Sequence, residues 1–417
     1  MKRLLLLIFL LIKLQFVSGQ INIDSCQGKA RANYPLIKQY DLIARSTEYT
    51  VSNANKAYLP QLSITGIGGY VINGLPSFSP PGQAAPEPDK FQLIGIAQIN
   101  QTIWDGGATG AQKDIAKANA EVEKASIDVS IYSIRERVNQ IYFGILIIDE
   151  QLKQLEILNE NLQRSYEKVK LSKDNGLAYQ SDVDEVKAEL LNMEQKKIEF
   201  SYTRKGYVEM LSYMIGEKLN ENVQLEKPVV LETVESLTNN RPELGLYASQ
   251  LKLIEAQSSI NKVVNMPKIG LIGAGIWMEP GANFGTQKLT NLAIAGLSLS
   301  WNTGGIYKNS NNKNLDKIRI DRVTNQQETF SFTNKLQLTQ TSSEIEKQRA
   351  IIKQDEEIVK LKSEIKKSYQ LRYDNGMCTM NDLINSISKE SEARGNQALH
   401  NVQLLMSVYN YKTLSGN

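Results

Sequence analysis

A heptad pattern sets the tightest limit on what this chain can fold into. From Ile127 the apolar positions fall at Ile131, Ile134, Val138, Ile141, Ile145, Ile148, Leu152 and Leu155, then at Leu162, Tyr166 and Val169. The spacing is 4-3-4-3 over six heptads and is broken once, at Asn159. A period of about 3.5 residues is the signature of supercoiled helices. A helix starting near Gly107 and ending near Lys173 is on the order of 100 Å long at 1.5 Å per residue, more than a globular domain of this size needs. The segment 182–215 keeps the frame with Val183, Val186, Leu190, Met193, Phe200, Tyr207, Leu211 and Met214. Residues 306–373 and 380–414 are helical by composition and less regular.

The chain also repeats itself. Tyr58-Leu59-Pro60-Gln61-Leu62 returns as Asn265-Met266-Pro267-Lys268-Ile269. Trp104-Asp105-Gly106-Gly107 returns as Trp301-Asn302-Thr303-Gly304-Gly305, and Lys173-Asp174-Asn175-Gly176 as Tyr373-Asp374-Asn375-Gly376. Three landmarks in one order, at offsets of 197 to 207 residues, define an internal duplication. The expected organisation is a first repeat over 20–216, an inter-repeat segment over 217–240 and a second repeat over 241–417. Each repeat reads as helix, two strands, a very long helix, a tight turn near 174–181 or 373–380, and a returning helix.

Alternation marks the strands. Leu62, Ile64, Gly66, Gly68, Tyr70 and Ile72 form one apolar or small face, and Leu297, Leu299 and Trp301 alternate with Ser298, Ser300 and Asn302. Segments 91–104 and 268–278 alternate less cleanly, because Ile94, Ile96, Ile272 and Ile276 intrude on the second face. Each segment has about the 9–11 residues that a tilted strand needs to cross a bilayer. Polar, turn-rich loops are expected at Gly74–Lys90, with five prolines, and at Glu279–Lys288. Strand patterning alone fits a soluble sandwich equally well. At the tips, Asn175-Gly176 and Asn375-Gly376 supply left-handed residues that end a helix. Ser181-x-x-Asp184 and Thr379-x-x-Asp382 read as capping boxes for the helices that follow.

Composition narrows the function classes. Lys2 and Arg3 precede an apolar run from Leu4 to Ile12 that passes Lys13 to Phe16 and ends at Val17-Ser18-Gly19, so residues 1–19 read as a cleaved secretory signal. The signal takes three bases and no acid, leaving 48 − 3 = 45 Lys+Arg against 45 Asp+Glu. A neutral mature chain argues against nucleic acid. One histidine, His400, rules out multi-His metal sites and reads as a packing or surface residue, and no cofactor is expected. Two cysteines, Cys26 and Cys378, make no disulfide framework, and their spacing leaves open whether they pair. Gly106-Gly107 and Gly304-Gly305 are not phosphate loops, since no Lys-Ser/Thr follows, and they are expected to ease the turn from strand into helix.

Four membrane-length strands cannot close alone, and a spanning sheet with open edges is not tolerated in lipid. The strands must therefore join a shared barrel, and the long helices would project from it as a tube. The order of elements, the two halves, the Leu59-Pro60 and Met266-Pro267 strand starts and the Trp-Asp-Gly-Gly strand exit resemble the TolC family of outer-membrane efflux proteins. The segment from Asp24-Ser25-Cys26 to Asn33-Tyr34-Pro35 is similar to that family's opening helix, and the resemblance covers about residues 22 to 415. It implies an α+β membrane protein: a homotrimer whose four strands per protomer build a 12-stranded outer-membrane barrel continuous with a 12-helix periplasmic tunnel. The expected location is the outer membrane of a Gram-negative bacterium, against outer-membrane lipid. The implied partners are a periplasmic adaptor, docked at the hairpin tips Asn175, Gly176, Asn375 and Gly376, and an inner-membrane pump. Substrates of either efflux or type I secretion would pass without chemistry, so no enzyme is expected.

The same resemblance assigns gate candidates. Asp182 and Asp382 each lie six residues past a tip glycine and match acidic positions that narrow the family's closed entrance, while Tyr373 matches a tyrosine that helps hold it shut. Two positions depart: Cys378 stands where some members have an arginine of the closing network, and Asn385 where they have a second aspartate. Symmetry-related carboxylates in a narrow pore would favour bound cations. First-turn placement offers Asp382 an ordinary capping role instead. Trp104 and Trp301 sit either at the membrane interface or at the strand-to-helix junction. The competing class is an extracytoplasmic coiled-coil scaffold or adhesin, in which the strands merely cap the rods.

Overall fold

A computed structural model of the 417-residue chain describes residues 21–70, 72, 90–229, 239–284 and 287–417. The expected signal at 1–19, most of the loop expected at Gly74–Lys90 and part of segment 217–240 lie outside the described residues. The chain forms two compact units. One comprises residues 21–38, Ile127–Leu244 and Glu328–Asn417; the other comprises Gln39–Ser126 and Gly245–Gln327.

The first unit is helical. Helix α1 (Ile23–Asn33) packs beside portions of α3 (Ala108–Asp174), α4 (Gln180–Ile215) and α7 (Met380–Ser415); the 71-residue α6 (Gly304–Asp374) supplies the remaining long helix. Burial follows the heptads: Ile131, Val138, Ile141, Ile145, Leu162 and Val169 are each at most 3% exposed, while Leu152 and Tyr166 are half-buried. A central core joins Cys26 of α1, Val138, Tyr142 and Ile145 of α3, Leu211 of α4 and Val402 of α7. Tyr142 is fully buried, and its hydroxyl lies 2.7 Å from the carbonyls of both Ile21 and Glu226. That contact ties the start of the described chain to the segment after α4, where Ile21 and Leu225 form a parallel bridge. Cys26 in this core and Cys378 beyond α6 are both free thiols, which closes the disulfide question.

The second unit holds α2 (Gln39–Asn55), α5 (Pro242–Val263, from Gly245 onward), the adjoining ends of α3 and α6, and an antiparallel sheet ordered β1-β2-β3-β4. The strands are β1 (Gln61–Tyr70), β2 (Phe91–Trp104), β3 (Lys268–Phe284) and β4 (Gln287–Ser300). The loop expected at 279–288 is instead mostly ladder: after a register shift between Trp277 and Ala282, pairing continues to Phe284↔Gln287. A bulge reads as loop in sequence because it breaks the period of two.

Cross-strand pairing sorts the side chains into two faces. Leu62 sits beside Ile99, Ile64 beside Ala97, Tyr70 beside Phe91, and Leu271 beside Leu297 on one face. This face is mostly apolar, with Gln101, Asn291 and Glu279 as its polar positions, and its large side chains are exposed, Ile64 at 77% and Leu297 at 76%. Tyr70 and Phe91 mark its hairpin end and Trp104 the helix-joined end. From Leu62 to Tyr70 it rises about 27 Å at 3.4 Å per residue, matching the roughly 25 Å apolar band with aromatic borders of outer-membrane barrels. Among the described residues no helix is long and apolar enough to cross a membrane.

Candidate functional site at the hairpin tips and strand ends

Both helical hairpins end in the same hydrogen-bonded turn. Gly176 has φ of 73° and Gly376 of 69°, the left-handed region that favours glycine. The Gly176 N–H donates to the Lys173 carbonyl at 2.9 Å and the Leu177 N–H to Ser172 at 2.8 Å. The second tip repeats this with Gly376 to Tyr373 at 3.0 Å and Met377 to Arg372 at 2.8 Å. Each pair is a Schellman closure, which satisfies carbonyls the ending helix leaves orphaned. Asn175 and Asn375 each return a side-chain amide to a leucine carbonyl one turn back, Leu171 at 2.8 Å and Leu371 at 2.7 Å.

The returning helices start differently. Thr379 and Asp382 form the expected reciprocal cap: Thr379 Oγ1 accepts from the Asp382 N–H at 3.2 Å, and Asp382 Oδ2 accepts from the Thr379 N–H at 3.0 Å. In the first repeat the box at 181–184 is displaced by two residues. Tyr179 is the N-cap, and Asp182 accepts from its N–H at 2.9 Å. Ser181 and Asp184 lie inside the helix, because α4 already begins at Gln180. Asp182 and Asp382 thus occupy equivalent third positions in their helices. Donation from the Thr379 hydroxyl and then from its N–H holds the Asp382 carboxyl below the ordinary range.

Packing brings the two tips together. Leu162, Val169, Val183 and Val186 meet Met380, Leu383, Ile384 and Ile387 in one buried cluster, with Tyr373 half-buried at its margin. Burial, followed by the nearby charge of Asp182, raises the Tyr373 phenol above its usual pKa. The tip groups singled out in the sequence therefore converge on one locality. Sequence reasoning missed the cross-hairpin pair Lys168–Asp374, which links residues 206 apart. Lys168 Nζ also lies 5.7 Å from the Tyr373 ring centroid, and Gln370 donates to Asp374 at 3.0 Å. Donation from Lys168 chiefly holds the Asp374 carboxyl below its usual range. Cys378 donates its thiol to the Tyr369 carbonyl at 3.6 Å, and Asn385 is exposed.

The first strand-to-helix junction rests on one acid. Asp105 is 7% exposed and accepts from the Gly107 N–H at 2.9 Å, the Thr109 N–H at 2.6 Å and the Tyr58 hydroxyl at 3.0 Å. Burial alone would raise its pKa, but these donors, with the Thr109 hydroxyl, outweigh burial and hold it at about 2. Asn302 plays the corresponding part in the second repeat, accepting from the Gly304 N–H at 3.0 Å. The glycines differ in their reasons. Gly106 and Gly107 have φ of 72° and 91°, whereas Gly305 has no positive φ and lies close to the Asn265 amide, which would have to move aside for a Cβ, since Oδ1 would be 2.0 Å from it. Trp301 donates its indole N–H to the Asn265 carbonyl at 3.0 Å while remaining 63% exposed, so it both braces the junction and faces outward. Trp104 is 43% exposed. His400 is half-buried against α6, with Nδ1 2.7 Å from Asp355.

Residues 27–217 match the family model described as Outer membrane efflux protein. No match was found among curated protein sequences. Among solved structures, the outer-membrane channel OprN superposes with a TM-score of 0.69 at 14% identity, covering 95% of this chain and 90% of that one. VceC of Vibrio cholerae gives 0.66 at 14% identity, covering 95% and 96%. The Campylobacter jejuni CmeC channel gives 0.66 at 14% identity, covering 94% and 85%. Residues 27–217 thus carry sequence similar to the outer membrane efflux protein family, and the fold of solved outer-membrane channels is shared along nearly the whole chain.

Proposed function

We propose that three copies of this chain close a 12-stranded barrel in the outer membrane, joined to a 12-helix periplasmic tunnel, and passively conduct substrates delivered by an inner-membrane pump. The observation that carries the reading is the sheet. Its four strands of 10, 14, 17 and 14 residues are long enough to span a bilayer, one face is predominantly apolar with aromatic ends, and β1 and β4 leave both edges of the described sheet unpaired. Lipid tolerates no open edge, so neighbouring copies must pair β1 with β4. A rod-capping scaffold has no use for such a face.

The tips serve as the periplasmic entrance and adaptor dock. Asn175, Gly176, Asn375 and Gly376 form two rigid turns of like geometry, suited to equivalent contacts with a repeating partner. Tyr373, Asp182 and Asp382 form the gate, and the Lys168–Asp374 pair holds the two hairpins of one protomer together beside it. Substrate and partner identity are set by pump and adaptor. Planar-bilayer conductance with oligomer mass on the same detergent-extracted sample tests the conduit. Discrete channels from a trimer are expected, and a silent trimer must conduct once its tips are loosened by Lys168→Ala with Tyr373→Ala. A monomer or dimer that extracts without detergent would overturn the barrel.

A further inference from the structure

The second face of the sheet changes character along the strands. Near the helix-joined end Thr102 lies beside Gly270 and Gly270 beside Ser298, and the next rungs set Gln61 beside Asn100 and Ser63 beside Gln98. Toward the hairpin end the rungs become mostly apolar: Thr65 lies beside Ile96, which adjoins Ile276 and then Leu292, and the next rung holds Ile67, Ile94 and Met278. Ile272 and Ile294 extend this surface toward the helix-joined end on β3 and β4.

Burial tells which way this face curves. On β2 and β3, Ile94, Ile96, Ile276 and Met278 are half-buried, whereas Leu93, Ile99 and Trp277 on the opposite face are exposed. Side chains on the inside of a curved sheet crowd one another, so the isoleucine face is concave and lines the lumen when the barrel closes. From the rung beyond Lys268 at its helix-joined end to the rung of Ile67, Ile94 and Met278, this face carries no ionisable side chain. Lipid covers the other face, so the apolar rungs cannot be explained by the bilayer. A contiguous apolar patch facing a water-filled passage marks an interaction surface.

We propose that these rungs form a neutral apolar collar in the barrel lumen that takes the hydrocarbon part of uncharged amphiphilic small molecules as they leave. The inference rests on the barrel reading above. The absence of charge favours neither anions nor cations. The adjoining Gln61, Ser63, Gln98 and Asn100 offer donors and acceptors to an uncharged polar head. From Gln98 to Ile94 the surface spans about 13 Å at 3.3 Å per residue, room for a six-carbon chain beside its head group.

The test places single cysteines at Ile96 and Ala97, adjacent residues on opposite faces, in a Cys378→Ser chain. Labelling by a membrane-impermeant charged maleimide, added outside intact cells, is timed with n-hexyl-β-D-glucoside below its micelle-forming concentration or with glucose as the control. Ile96→Cys is expected to react and Ala97→Cys to stay unlabelled. Hexyl glucoside should slow the Ile96→Cys reaction by at least about threefold, and glucose should not, because the apolar chain supplies the contact. Adding Ile94→Thr and Ile276→Thr should abolish that protection while the heat-resistant oligomer is retained. Labelling at Ile96→Cys that hexyl glucoside does not slow, or protection that survives the threonines, overturns the collar and leaves the barrel standing. Equal reaction at both cysteines, or at neither, overturns the barrel orientation itself.

Discussion

Asp105→Asn isolates the contribution of one carboxylate to the start of a 67-residue helix. The side chain is 7% exposed, so solvent screens it little, and it accepts from two N–H groups and a hydroxyl. Its pKa of about 2, against about 3.9 for a free aspartate, corresponds to about 2.6 kcal/mol of stabilisation by the charged form. The sign is that of a depressed acid. The contribution is fully present above about pH 4 and is lost as pH falls through about 2. Asparagine keeps the shape but replaces one acceptor oxygen with a donor and removes the charge favoured at a helix N-terminus. At pH 7 the variant should therefore lose about 2–3 kcal/mol locally, which is about 30- to 160-fold faster exchange of the Gly107 and Thr109 amide hydrogens. Hydrogen exchange followed by mass spectrometry on the purified oligomer reads this directly, with the hairpin-tip amides as internal control. Exchange at residues 107–109 unchanged within about threefold would refute the argument, since a carboxylate held at pKa 2 cannot be neutralised without cost.

Other perturbations separate the remaining interactions. Gly106→Ala should lower thermal stability by at least about 2 kcal/mol, because a Cβ there meets Met266 Cβ at 2.5 Å in addition to the positive φ. Gly176→Ala, at an open tip, should cost only about 1 kcal/mol on the same unfolding assay. Glu390 is 4% exposed and bonded to the partly exposed Lys366 and Arg394, so Glu390→Gln should cost about 1.5–3 kcal/mol by weakening charge-assisted hydrogen bonds that hold a buried side chain, and a melting point unchanged from wild type would contradict this. Asp182→Asn with Asp382→Asn should weaken cation block of the pore current, and block of undiminished strength would remove both acids from the gate. Lys168→Ala should cost under about 1 kcal/mol in stability, since the pair is partly exposed, yet raise the open fraction of single-channel recordings.

Local physics wrote much of this molecule into its sequence. The heptad spacing from Ile127 to Val169 specifies a long supercoiling helix whatever surrounds it, and the burial of Val138, Leu162 and Val169 follows from that period. Asn-Gly at 175–176 and 375–376 determines where the helices stop, because glycine accepts the left-handed turn that other residues resist. The duplicated Trp-Asp-Gly-Gly and Trp-Asn-Thr-Gly-Gly segments mark the strand exits. What sequence could not carry are relations between residues distant along the chain. Pairing of Lys168 with Asp374 depends on how two hairpins dock. The roles of Asp105 and Gly305 depend on Tyr58 and Asn265 arriving from other segments. Whether Ile94 and Ile276 face lipid or lumen depends on strand register and curvature, and neither is a property of a single strand. The continuation of β3 past Trp277 and the start of α4 at Gln180 were settled likewise, by pairing and packing that outweighed the local turn signals.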